Sequence, residues 1–168
     1  MTGTYSQSLV AFSLLVAILA SYTALDMAGR LATAQGRVAR WWLIGGASAM
    51  GLGIWSMHFI GMLAFKLPIP IGFDLGITLY SLAVSIAASA YALWLVSRPE
   101  LPRRRLLAGG TLMGLGVATM HYLGMGAMRM QPGIDYDPLW FALSIAVAIG
   151  AYTAALWIAF RLRREDQR

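Results

Sequence analysis

Cysteine is absent from this 168-residue chain, which excludes disulfides and thiolate ligands and leaves histidine, methionine, carboxylates and backbone as possible metal donors. Charge is scarce too, with only 12% of residues Asp, Glu, Lys or Arg and only seven of them acidic. No nucleophile sits beside a base, no carboxylates pair in a cleft, and no acidic relay crosses an apolar run, so nothing here marks an enzyme active site. The Gly-x-Gly stretches follow no strand and are not a nucleotide fingerprint. No proline breaks the middle of a long apolar run, which removes the usual mark of a transporter's broken helix.

What is present is apolar. Hydrophobic residues make up 59% of the chain, and the mean hydropathy is +0.67. The sequence predicts an all-α, polytopic membrane helix bundle of five spans, near Leu9 to Asp26, Trp41 to Phe65, Phe73 to Val96, Leu106 to Met128 and Leu139 to Phe160. Each run is close to the ~20 residues that a helix needs to cross a ~30 Å hydrocarbon core. Eleven arginines lie between spans one and two (Arg30, Arg37, Arg40), between three and four (Arg98, Arg103, Arg104, Arg105) and after five (Arg161, Arg163, Arg164, Arg168), against Lys66 and Arg129 on the other side. The positive-inside rule then places the amino terminus outside and the carboxyl terminus in the cytoplasm. This asymmetry accounts for the net charge of +6 with no nucleic-acid partner, and adds some affinity for anionic lipid headgroups. The tail before span one, Met1 to Ser8, carries no Lys or Arg, so the span reads as a retained helix rather than a secretory signal.

A shift of 63 residues aligns Gly46, Met50, Gly51, Gly53, Met57, His58, Gly61, Met62 and Lys66 with Gly109, Met113, Gly114, Gly116, Met120, His121, Gly124, Met125 and Arg129. The register continues from Asp74 to Asp137 and from Leu93-Trp94 to Leu156-Trp157. The repeating unit is two helices, which keeps the copies parallel. Tyr22, Tyr91 and Tyr152 read as a third echo in the inner halves of the odd spans, where interhelical hydrogen bonds would hold them. Spans one and three each precede a His-bearing helix, and span five precedes none. The pattern predicts a single integral membrane domain over residues 1–168, truncated before a third Met-His repeat.

The two histidines are the chain's only ones. Each lies eight residues before an outer cation, so both sit at the same depth, ~12 Å inside the outer boundary at 1.5 Å rise per residue. Ionisable groups inside a bilayer are costly, and two in one context mark a functional site. On each helix a Gly/Met stripe, Gly46, Met50, Gly53, Met57 and Gly61 in the first copy, lies beside the His stripe and lets backbones approach closely. Leu52, Phe59 and Leu63 are predicted on the opposite face. Met62 and Met125 stand one turn outward of the histidines, with Met57 and Met120 on the neighbouring stripe. Thioether beside imidazole, without thiolate or clustered carboxylate, suits copper better than zinc, magnesium or calcium. Methionine is also ordinary core filler, the role that suits Met50 and Met113.

Met57-His-Phe-Ile-Gly-Met62, Met120-His-Tyr-Leu-Gly-Met125, the Ser21-Tyr-Thr-Ala-Leu-Asp-Met-Ala-Gly-Arg30 element and the two-helix repeat resemble the MHYT-domain family of bacterial membrane sensors. The resemblance implies a multi-pass sensor domain of the bacterial cytoplasmic membrane, not itself an enzyme. It implies three Met-His motifs near the outer face that bind copper and through it detect oxygen, carbon monoxide or nitric oxide. It also implies a cytoplasmic diguanylate cyclase or cyclic-di-GMP phosphodiesterase output module, in the same chain or as a partner. Carried over, the motif gives His58, Met62, His121, Met125, Met57 and Met120 as metal ligands. Tyr122 occupies the position of the motif's tyrosine, and Phe59 replaces it in the first copy. The residues leave open two other readings, an electron-transfer protein with His58 and His121 as axial ligands of one haem, and a metal transporter or channel. A homo-oligomer is compatible with either.

Among the remaining polar groups, Asp74 and Asp137 fit helix caps at the outer starts of spans three and five. Asp26, four residues before Arg30, fits an interfacial ion pair with a coupling role toward the cytoplasm.

Overall fold

Each apolar run forms one helix. The computed structural model describes residues 4–66, 71–130 and 133–166. Its order is β1 (Thr4–Tyr5), α1 (Gln7–Thr33), α2 (Gly36–Ala64), β2 (Phe65–Lys66), β3 (Gly72–Phe73), α3 (Leu75–Val96), α4 (Arg103–Gly126), β4 (Met128–Arg129) and α5 (Pro138–Asp166). All five helices are long and apolar enough to cross a membrane, and the fold is an all-α membrane bundle. The helices run past the predicted spans at their inner ends, α1 by seven residues to Thr33 and α2 from Gly36, because helical hydrogen bonding does not stop where the apolar run does. Only Ala34 and Gln35 separate α1 from α2. The reversal is made by Gly36 at φ 59°, a backbone conformation open to glycine at little cost.

Four short strands at the outer end were not foreseen. β1 pairs antiparallel with β2 (Thr4 opposite Lys66) and β3 with β4 (Gly72 opposite Arg129). Beside each ribbon the same bond recurs: the Ser6 N–H donates to the Ala64 carbonyl (2.8 Å), and the Asp74 N–H to the Ala127 carbonyl (2.7 Å). The structural unit is thus strand, helix, helix, strand, β1-α1-α2-β2 and β3-α3-α4-β4, with α5 in the place of α1 and α3. The sequence repeat joins spans two and three, and the ribbons join one to two and three to four.

Glycine sets the distance between helices. A Cβ on Gly51 would lie 2.7 Å from the Ile86 Cα, and a Cβ on Gly114 2.5 Å from the Ile149 Cα, so α2 meets α3 as α4 meets α5, backbone against side-chain-free backbone. Gly46 faces Met27 and Leu93, and Gly109 faces Leu95 and Leu156. These pairs show that α1 maps onto α3 by 68 residues (Met27 to Leu95) and α3 onto α5 by 63 (Leu93 to Leu156). Tyr22, Tyr91 and Tyr152 are out of step with both shifts, so they are not equivalent. Tyr22 is 74% exposed, and Tyr91 stacks on Trp94 of its own helix. The three tyrosines are therefore not one repeated element.

The tight core lies toward the inner end, where Ala28, Ala47, Ala92, Leu93, Leu95, Val96, Met113 and Leu156 pack together. Leu52 and Leu63 face outward as expected, but Phe59 is only 8% exposed. Trp55 and Phe73 cover it, with ring centroids at 4.5 and 5.8 Å.

Candidate metal centre

The two histidines that the sequence places at one depth meet between α2 and α4. Nδ1 of His58 lies 3.3 Å from Nδ1 of His121, with ring centroids 4.7 Å apart and planes inclined at 60°. Two neutral imidazoles can share one proton there, one ring donating and the other accepting. The far nitrogen of His58, Nε2, is buried with no hydrogen-bond partner. It rests against the backbone of Gly124, where a Cβ would come within 2.9 Å of it. Leaving a buried polar atom unpaired costs about 1–3 kcal/mol, so the arrangement is not one that packing alone would favour.

The sulfurs are placed unequally. Met62 and Met125 are half-buried, one turn outward of the histidines on the same helices. Met120 is 1% exposed, in the core, whereas its repeat partner Met57 lines a cavity of about 420 Å³ between α1 and α5, with Met50, Met113 and Tyr152. Among the described residues no cluster of three or more His, Cys, Asp or Glu side chains forms. The two imidazoles are therefore the nucleus of any site, and further donors must be thioether or backbone.

Each His-bearing helix is tethered to a neighbouring helix by an aromatic side chain. Tyr122, edge-on to His121 at 5.0 Å, hydrogen-bonds through its hydroxyl to Ser144 Oγ on α5 at 2.6 Å. Ser81, which is 63 residues before Ser144, is bonded from α2 by a different donor, the Trp55 indole N–H at 3.0 Å. Where Phe59 lacks the phenol, Trp55 supplies the donor, and where Ala118 lacks the indole, Tyr122 does. Both tethers escaped sequence reasoning, although the alignment of Ser81 with Ser144 was a visible signal. A second bond from the same helix, Ser85 Oγ–H to the Gly51 carbonyl at 2.9 Å, adds to the α2–α3 seam.

At the outer rim Asp74 caps α3, its Oδ1 accepting from the Ile77 N–H at 3.0 Å, while Oδ2 pairs with Arg129 of β4. The Ile77 amide first, and then Arg129, hold the Asp74 carboxyl below the usual carboxylate range. Asp137 caps α5 through the N–H groups of Leu139 and Trp140, at 2.9 and 3.2 Å. At the inner end Arg30 Nε donates to Asp26 Oδ2 at 2.8 Å, the ion pair expected from their spacing.

Comparison with known proteins agrees with the repeat. The family model described as "Bacterial signalling protein N terminal repeat", MHYT, matches twice, at residues 51–109 and 114–168. The chain is 66% identical to the bifunctional diguanylate cyclase/cyclic di-GMP phosphodiesterase MucR of Pseudomonas aeruginosa, over 99% of its own length and 24% of that protein's. It is 46% identical to the cyclic di-GMP phosphodiesterase NbdA of the same organism, over 91% of this chain and 19% of the relative. With the signaling protein YkoW of Bacillus subtilis the figures are 38%, 95% and 20%. The chain thus spans about a fifth to a quarter of the length of these relatives. No solved structure matches. With two repeat matches that coincide with the doubled Met-His helices, the chain belongs to the MHYT family of bacterial signalling proteins.

Proposed function

We propose that this domain is the membrane sensor of a cyclic-di-GMP signalling protein and that His58 and His121 together hold one copper ion. The observation that carries the reading is the 3.3 Å separation of the two Nδ1 atoms. Two nitrogens bound side by side to one ion at about 2 Å lie about that far apart. The donor set fits copper, since imidazole and thioether are at hand and carboxylates are not. Copper when bound supplies a redox-active centre open to a diatomic gas such as oxygen, carbon monoxide or nitric oxide. Met62 and Met125, one turn outward on the same helices, would supply further ligands, with Met57 and Met120 as the other thioether candidates.

The chain's own residues do the rest. The Gly124 backbone backs the His58 ring, the tethers fix the His-bearing helices to α3 and α5, and the apolar surround keeps water away. A change in how the imidazoles are held would pass through Tyr122 and Ser144 to α5, and from its inner end to a cytoplasmic output module of the cyclase or phosphodiesterase kind that two relatives' names carry. Direct contact of the rings favours a single small ion over a haem, whose macrocycle would have to part them. In the bacterial cytoplasmic membrane, with its amino terminus outside, the domain reads the outer half of the bilayer.

The test is elemental analysis of protein purified without oxygen. One copper per chain in the wild type and none in the His58→Ala, His121→Ala double variant is the expected result. Unchanged metal content in the variant removes the proposal, and a Soret band in the wild type replaces copper by haem.

A further inference from the structure

Apart from Met57, the cavity between α1 and α5 takes no part in the metal centre. Its walls carry the same register positions of all three odd helices, Ala24 and Leu25 of α1, Ala92 and Leu93 of α3, Ala155 and Leu156 of α5. These are equivalent by the shifts of 68 and 63 residues that the Gly46 and Gly109 contacts establish. The three helices therefore turn one face toward each other, and the small side chains on it leave space. At about 420 Å³ the cavity falls within the ~300–1,000 Å³ of small-molecule pockets, which pair apolar walls with a few placed polar groups.

The polar groups here stand one turn before those positions, again in register. Ser21, Ser89 and Tyr152 are equivalent, so each odd helix brings one hydroxyl to this level. Ser21 and Tyr152 line the cavity. The Ser21 hydroxyl already donates to the Ala17 carbonyl, at 2.8 Å. The other two have no such outlet: Ser89 Oγ is buried without a hydrogen-bond partner, and the Tyr152 hydroxyl has none among the described residues. A hydroxyl left unpaired in an apolar surround is unfavourable, and two donors here lack an acceptor. Met50, Met57 and Met113 line the same cavity, and thioethers make favourable contacts with flat rings.

These features define a ligand. Among the described residues no charged side chain lines the cavity, and its walls are helices long and apolar enough to span a membrane, so the ligand is neutral and arrives through the bilayer. Free hydroxyl donors call for carbonyl acceptors, and the thioethers for a flat ring. We propose that the cavity binds the ring of a membrane-soluble quinone, with the Tyr152 hydroxyl donating to one of its carbonyl oxygens. An acyl chain would fill the space but leave that hydroxyl unpaired. Because Met57 directly precedes His58 on α2, occupation of the cavity would bear on a helix that carries an imidazole. The domain would thereby take an input from the quinones of the membrane that needs no metal.

The experiment equilibrates metal-free protein in detergent micelles with decylubiquinone and measures, against empty micelles, the quinone that travels with the protein. Saturation at about one quinone per chain is expected. Tyr152→Phe should weaken binding about tenfold, the loss of one hydrogen bond, and Ala155→Leu, which fills the cavity, should abolish it. Tyr22→Phe, at an exposed tyrosine outside the cavity, should bind as the wild type does, with thermal unfolding confirming that every variant is folded. Absence of saturable binding, wild-type affinity in Tyr152→Phe or in Ala155→Leu, or an equal loss in Tyr22→Phe overturns the proposal. So does equally tight binding of decylbenzene, which has the tail and ring without the carbonyls and would assign the cavity to acyl chains.

Discussion

Replacing Gly124 with alanine tests how closely the imidazole pair is held. The new Cβ would lie 2.9 Å from Nε2 of His58, 3.3 Å from its Cδ2 and 3.4 Å from Cε2 of Phe59. Unstrained contacts of this kind begin near ~3.5 Å, so the ring must retreat by about half an ångström. Its other side is closed, because Nδ1 already stands 3.3 Å from His121. Overpacking of this order costs about 1–3 kcal/mol, and a site must be held to about 0.5 Å to keep its geometry. Copper affinity is expected to fall about tenfold, equivalent to ~1.4 kcal/mol. The internal control is Gly61, the repeat partner of Gly124, where the nearest atom to a Cβ is 3.9 Å away. Gly61→Ala should keep wild-type affinity and gain up to ~1 kcal/mol in helix stability. Both variants would be titrated against a copper(I) chelator without oxygen, alongside thermal unfolding. Wild-type affinity in Gly124→Ala, or an equal loss in Gly61→Ala, would refute the reasoning.

Other consequences follow from the same contacts. Gly51→Ala and Gly114→Ala press a Cβ against the backbone of the next helix and should each destabilise the bundle by about 1–3 kcal/mol in reversible detergent unfolding, whereas Gly45→Ala and Gly150→Ala, with nothing within 4 Å, should not. Ser81→Ala and Ser144→Ala should each cost about 0.6 kcal/mol. In double-mutant cycles Trp55→Phe should add nothing to the first and Tyr122→Phe nothing to the second, and full additivity would show that the tethers carry no energy. Because folding lowers the Asp74 pKa, its stabilisation is complete above the ordinary carboxyl value near ~4 and is lost as pH falls through the lower folded value. An acid titration of the unfolding midpoint should show this step in the wild type and not in Asp74→Asn.

The number of helices and their order were legible because length and hydropathy leave a membrane chain few alternatives. The 63-residue repeat was legible from Gly46 and Gly109 onward, since close helix approach favours glycine and its spacing survives. Equal depth of His58 and His121 could be read from Lys66 and Arg129, but their contact could not, because it depends on how α2 and α4 are turned toward each other. The ribbons were hidden because two-residue strands have no periodicity. Phe59 was misplaced on the lipid side because helical angles alone do not reveal that Trp55 and Phe73 close over it. The tyrosines misled because three similar tripeptides lie near the same level without sharing a register, which only the Gly46 and Gly109 contacts establish. The outer clamp of Asp74 on Arg129 joins residues 55 apart through a ribbon, and a local reading could find only the cap.

The central claim is that two imidazoles, one from each repeat, bind the same ion. X-ray absorption at the copper edge, on protein purified and loaded without oxygen, counts them directly. The account requires two imidazole nitrogens at about 2 Å from a single copper, with sulfur scattering that weakens in a Met62→Ala, Met125→Ala variant. A copper environment with one imidazole or none, or a spectrum unaltered by His58→Ala, would contradict it.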